Sequence, residues 1–169
     1  MNYFEFYTLP IKFSIDKVAL RQKFLELSKK YHPDFFVHES EELRSNILAN
    51  STLNNTAFKT LSHDSLRVRY VLELMGVITE TEKEVLPQDF LLEMMDLNET
   101  IMEMDKSELI GMKAKIALME ATLQAVLAQA SDRYDSMGDA AELQQIKTIY
   151  LKQKYLLRIK ESMLKFASL

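Results

Sequence analysis

The sequence predicts an all-α protein, and three observations carry that reading. Apolar residues recur at helical spacing along almost the whole chain. Only three glycines and three prolines occur in 169 residues, too few for the tight turns of a β-rich fold. Apolar residues make up 47% and charged residues 27%, an ordinary globular mix that argues against a disordered chain. About seven helices are expected, and no strand.

The elements follow in order. A short aromatic segment is closed by Pro10. Leu20, Phe24, Leu27 and Tyr31 then share one helical face, and Pro33 lies just beyond it. Leu43 and Ile47 begin a second stripe that Ala57 and Leu61 continue, with the polar Asn50 and Asn54 on the same face. Leu66, Tyr70 and Leu74 make a third, which Gly76 ends. Pro87 suits the first turn of the next helix, whose face is Phe90, Met94, Leu97 and Ile101. Gly111 would cost roughly 1 kcal/mol inside a helix, so a break is expected after Asp105-Lys106-Ser107. Ile116, Met119, Leu123 and Leu127 form the following face. Gly138, in a turn-like run from Asp135 to Asp139, separates it from the last, made of Ile146, Ile149, Leu156, Ile159 and Met163.

Charge divides the chain. Residues 1–76 hold 10 basic and 9 acidic groups, and residues 77–169 hold 11 and 16. The step falls at Gly76 and the polar run from Thr79 to Glu84. It implies an N-terminal domain over 1–76, a linker over 77–86 and a second helical domain over 87–169.

Composition also excludes function classes. A net charge of -4 disfavours a general nucleic-acid binder, which needs a basic footprint. Without cysteine there is no disulfide, no thiolate metal or cluster ligand and no thiol nucleophile. The three histidines, His32, His38 and His63, all precede Gly76. No apolar run approaches the roughly 20 residues that span a bilayer, so no membrane association is expected. The opening MNYFEFYTLP lacks the basic stretch and long apolar core of a signal peptide. Residence in a cytoplasm is the expectation, bacterial first, with an organelle matrix as the other possibility.

The strongest local feature is Lys29-Lys30-Tyr31-His32-Pro33-Asp34. A residue before proline is pushed out of the α region, so the helix ending at Tyr31 must stop there. Pro33 fixes φ and removes a backbone donor, so Asp34 leaves a stiff corner. An imidazole and a carboxylate are thereby held in a defined relation at a loop. Arg21, Lys23, Lys29 and Lys30 stand on the helix before it, and residues 12–30 hold six basic and two acidic groups. Taken alone, the string also reads as a plain helix end, with cations in the last turn and proline as a stop.

In its context, the motif resembles that of a J-domain. Residues 1–75 share with that family a short aromatic helix with Tyr3-Phe4 and Leu9-Pro10. They share the long helix with Leu20, Phe24, Leu27 and Tyr31, then His32-Pro33-Asp34 in the loop. A third helix ends Asn55-Thr56-Ala57-Phe58-Lys59-Thr60-Leu61, and Arg67-Val68-Arg69-Tyr70 follows. Leu25 and Glu26 interrupt the family's usual basic face. The whole chain resembles the HscB family of iron–sulfur co-chaperones, a J-domain followed by a three-helix bundle. The run from Pro87 to Glu99 and the string Tyr155-Leu156-Leu157-Arg158 support the second half.

The resemblance implies a co-chaperone that stimulates the ATPase of a DnaK/HscA-type chaperone and brings an IscU-type iron–sulfur scaffold protein to it. Asp34 would accept a bond from an arginine of the chaperone, His32 and Pro33 would position it, and Arg21, Lys29 and Lys30 would meet an acidic patch. The scaffold would sit on Leu91, Leu92 and Met95, with Leu151 facing them and Asp96, Glu99 and Glu103 flanking. Family members often carry an aromatic where Leu151 stands. ATP is hydrolysed by the partner, so the chain itself is expected to be no enzyme, to need no cofactor and to act as a monomer. No G-x-x-x-x-G-K phosphate loop occurs.

Periodicity alone leaves core packing open for Leu91 and Leu92. The helix is nevertheless apolar around more than one face, and surplus apolar surface suggests a partner site. Methionine adapts well to such surfaces. Among rivals, a di-iron bundle needs Glu-x-x-His pairs that no helix beyond Gly76 can supply. His32, His38 and Asp34 do not complete a tetrahedral metal site. No G-x-S-x-G elbow supports a hydrolase. The remaining alternative is a J-protein or helical adaptor for a different client. An adaptor would leave a DnaK-like ATPase unchanged, and a J-protein for another client would stimulate it but ignore the scaffold.

Overall fold

The computed structural model describes residues 1–79 and 85–167, which form seven α-helices and two 3₁₀ turns with no strand among them. The all-α class expected from the sequence is the class the chain adopts. Of the linker expected over 77–86, residues 80–84 lie outside the described residues. The chain divides into two compact units, Met1–Leu74 and Met75–Leu169.

The first unit is built by local caps. Helix α1 (Tyr3–Phe6) opens with a reciprocal box: the Glu5 N–H donates to Asn2 Oδ1 at 2.9 Å and the Asn2 N–H to Glu5 Oε2 at 3.0 Å. Helix α2 (Lys17–Lys30) is capped by Asp16, whose Oδ1 accepts from the Val18 and Ala19 amides. Helix α3 (Glu41–Ser62) is capped by Ser40, and α4 (Asp64–Leu74) follows His63 directly. Phe24 stacks on Phe58 at 4.2 Å, and Asn54 reaches Ser28. Residue numbers rise on α2 as they fall on α3, so the pair is antiparallel.

A polar hub locks this pair. Asn54 is buried, at 1% exposure. The Tyr7 hydroxyl donates toward its carbonyl (2.9 Å) and its side-chain oxygen (2.7 Å), while Asn54 Nδ2 donates to the Phe24 carbonyl and Ser28 Oγ. Each such bond stabilises by only about 1 kcal/mol net, but an orphaned buried partner costs about 1–3 kcal/mol. Burial also pushes the Tyr7 hydroxyl above its ordinary pKa.

Two predicted stripes need correction. Leu43 stays exposed, so the buried face of α3 starts at Ile47. In α4, Leu66 and Leu74 are exposed, while Arg67, Val68, Val71 and Leu72 are buried. The cause is Arg67, whose guanidinium donates to the Phe13 and Leu61 carbonyls at 2.7 Å each and to Asp64 at 2.8 Å. Those bonds make burial of a charge affordable and turn the helix accordingly.

The second unit is a three-helix bundle of α5 (Gln88–Glu103), α6 (Leu109–Met137) and α7 (Ala140–Ala167). Pro87 sits at the N-cap of α5, one position before the first turn. The break before α6 is the 3₁₀ turn Lys106–Glu108, which leaves Gly111 inside the first turn of α6. Gly138 ends α6 at φ +69°, left-handed backbone that glycine adopts without a Cβ penalty. Lys160 pairs with Glu120 at 2.8 Å, Gln153 with Gln124 and Arg133 with Glu142, so α6 and α7 are antiparallel. Phe90, Met94, Leu97 and Ile101 of α5 pack on Met112 and Ile116 of α6 and on Leu156, Ile159 and Met163 of α7.

Candidate functional site

In the first unit the candidate site is the corner after α2. The Tyr31 N–H still donates to Leu27, and His32 then turns to extended backbone ahead of Pro33, with ψ 119°. Pro33–Phe36 form a 3₁₀ turn. The Asp34 N–H donates to His32 Nδ1 at 3.3 Å, so the imidazole caps the turn. Its ring also lies 5.3 Å from that of Phe35. The nearest approach of Nδ1 to the Asp34 carboxylate is 3.8 Å, beyond hydrogen-bond range.

The Asp34 side chain is therefore held by its backbone and left open at its head. It is 83% exposed, and among the described residues no lysine or arginine pairs with it. Arg21, Lys29 and Lys30 are also exposed, and the Lys30 ammonium lies 5.2 Å from the Tyr31 ring centroid. A helix surface rich in cations thus leads to a carboxylate that no lysine or arginine pairs with among the described residues. Such a surface can steer an acidic partner and then meet one of its cations.

In the second unit the candidate site is the outward side of α5. Leu92 and Met95 are 55% and 57% exposed, and Leu91 is half-buried. Asp96, Glu99 and Glu103 are exposed beside them. Leu151 departs from expectation: at 4% exposure it is buried and offers no surface to a contact. Helix periodicity had no means of revealing this, because Leu151 lies off the main apolar stripe of α7. Met102, also exposed on α5, was missed for want of any motif around it. Among the described residues no group of three or more His, Asp or Glu is placed to hold a metal ion, and no helix is long and apolar enough to cross a membrane.

Known proteins resemble the chain over both units. Residues 86–163 match the family model described as the HSCB C-terminal oligomerisation domain. A co-chaperone protein HscB homolog of Psychromonas ingrahamii is 31% identical, over 96% of this chain and 99% of its own length. The iron–sulfur cluster co-chaperone protein HscB of Mus musculus is 28% identical, over 95% of this chain and 66% of its own length. The solved structure of chaperone HscB from Vibrio cholerae superposes with a TM-score of 0.70 at 27% identity, covering 98% of this chain and 97% of that one.

Proposed function

The chain belongs to the HscB co-chaperone family, and from that premise we propose that it stimulates a DnaK/HscA-type ATPase while presenting an IscU-type iron–sulfur scaffold protein to it. The first unit, with the corner at 32–34, meets the chaperone. The second, through α5, holds the scaffold. The observation that carries this reading is the Asp34 carboxylate, exposed and without a lysine or arginine partner among the described residues, at a proline-stiffened turn beside a basic helix. It accepts a charge-assisted bond from an arginine of the chaperone, roughly twice as strong as a neutral one. Arg21, Lys29 and Lys30 raise the encounter rate and make association salt-sensitive. ATP is bound and hydrolysed by the chaperone, in a cytoplasm or organelle matrix, and this chain supplies no catalytic group. The scaffold contact is Leu91, Leu92 and Met95 within the acidic frame of Asp96, Glu99 and Glu103.

The test is a steady-state ATPase assay of the cognate chaperone with and without this chain and the scaffold. Stimulation by the chain, increased further by the scaffold, is expected. No stimulation would leave a helical adaptor, and stimulation indifferent to the scaffold would leave a J-protein for another client.

The description of the matching family model speaks of oligomerisation, which supports a second reading of the bundle as a self-association module. The outward face of α6, with Ile110 and Leu118 exposed, favours it. Sedimentation decides: the monomer mass of 19.7 kDa belongs to the first reading and a concentration-dependent dimer to the second.

A further inference from the structure

Beside α5 the bundle leaves a cleft of about 300 Å³. Its apolar wall is Phe90, Met119 and Leu123; Leu118 and Thr122 of α6 stand at its edge, and Glu93 and Lys152 complete the lining. We propose that this cleft receives one uncharged apolar side chain of the same scaffold protein that covers Leu92 and Met95, so that the client grips α5 from its outward face and from one flank.

Three observations favour this occupant. The cleft adjoins the proposed client surface: Glu93 in its lining neighbours Asp96 one turn along α5, and Asp96 in turn neighbours Leu92. Its volume is at the small end for ligand pockets, which suits a side chain better than a cofactor. Its one acid and one base offset each other and give the cleft no net charge to attract an ion, whereas an apolar side chain meets Phe90, Met119 and Leu123. The Lys152 ammonium is meanwhile held 5.0 Å from the Phe90 ring centroid, which keeps that ring in place. Leu118, 70% exposed, presents apolar surface at the mouth that this chain leaves uncovered.

The inference rests on the reading of α5 as the scaffold site, and the experiment separates the two. Scaffold binding to the full chain is titrated calorimetrically for wild type, Leu118→Glu, Thr122→Arg and the double variant Leu92→Ala/Met95→Ala, with a thermal melt of each. Leu118 and Thr122 are exposed, so melting should not change. Each cleft variant is expected to weaken binding about tenfold or more, as truncating a well-packed contact does. The two variants introduce opposite charges, so loss in both reports occlusion of the cleft. Loss in Leu118→Glu alone would report a change of field and overturn the inference. Affinities within about twofold of wild type for both, beside a loss in Leu92→Ala/Met95→Ala, would overturn it while leaving the α5 reading in place. No loss in any variant would overturn both.

Discussion

The carboxylate of Asp34 meets no lysine or arginine of its own chain among the described residues, has only the His32 imidazole at 3.8 Å and lies open to water, so folding gains little from its charge. Asp34→Asn keeps the size and the backbone amide that His32 Nδ1 accepts from. The variant is expected to stay within about 0.5 kcal/mol of wild type in stability, as surface substitutions do, yet to lose stimulation of the chaperone ATPase. A thermal melt beside the ATPase assay checks both halves; unchanged stimulation would remove Asp34 from the interface. Asp64 is the opposite kind of carboxylate. Its burial pushes its pKa up, but hydrogen bonds from Lys17 and Arg67 outweigh this and hold it below the ordinary carboxylate value. A lowered pKa in the folded state stabilises above the unfolded value of about 4, and that stabilisation is lost as pH falls through the folded value. Melting temperature should therefore drop on acidification from about pH 5 toward pH 2. The same titration of Asp64→Asn should show a shallower fall from a lower starting point.

Within α5, two classes of apolar side chain are separated by geometry. Met94 is fully buried and packs in the bundle core. Met94→Ala should cost about 2–5 kcal/mol through lost transfer energy and the cavity left behind. Leu92→Ala/Met95→Ala should change stability far less, because both side chains are more than half exposed, but should weaken scaffold binding. Calorimetric melting and a binding titration on the same preparations make the comparison, and core-sized destabilisation by the exposed pair would place it in the core. Legibility from sequence follows the same division. Periodicity identified Phe90, Met94, Leu97 and Ile101, and Ile146, Ile149, Leu156, Ile159 and Met163, all of which are buried. It put Asn54 on the buried face of α3 but failed at Arg67, whose burial is achieved by polar bonds to residues that sequence spacing does not bring together. The corner at 32–34 was legible because proline acts locally. The burial of Leu151 and the cleft beside Glu93 were not, because both depend on contacts between elements far apart in sequence.

At the scale of the whole chain, the proposed function depends on two contacts being covalently joined. A scaffold held by the second unit is delivered to a chaperone held by the first at an effective concentration set by the connection between them. Such linkage can add a factor of about 10²–10⁴ without any new contact. This makes a specific demand on mixtures. Asp34→Asn should still hold the scaffold but bring it to no chaperone, so adding it in excess to wild type should lower scaffold-dependent ATPase stimulation. It sequesters the client in complexes that cannot engage. Placing Leu92→Ala/Met95→Ala in the same chain as Asp34→Asn should abolish that inhibition, since the triple variant no longer holds the client. The readout is the chaperone's steady-state ATPase rate at fixed wild type and scaffold, as each variant is titrated in. Inhibition by Asp34→Asn that the added pair relieves requires both contacts to reside on one chain. Inhibition that persists in the triple variant would mean that the variants still compete for the chaperone. Absence of inhibition by Asp34→Asn would mean that client delivery does not pass through the second unit.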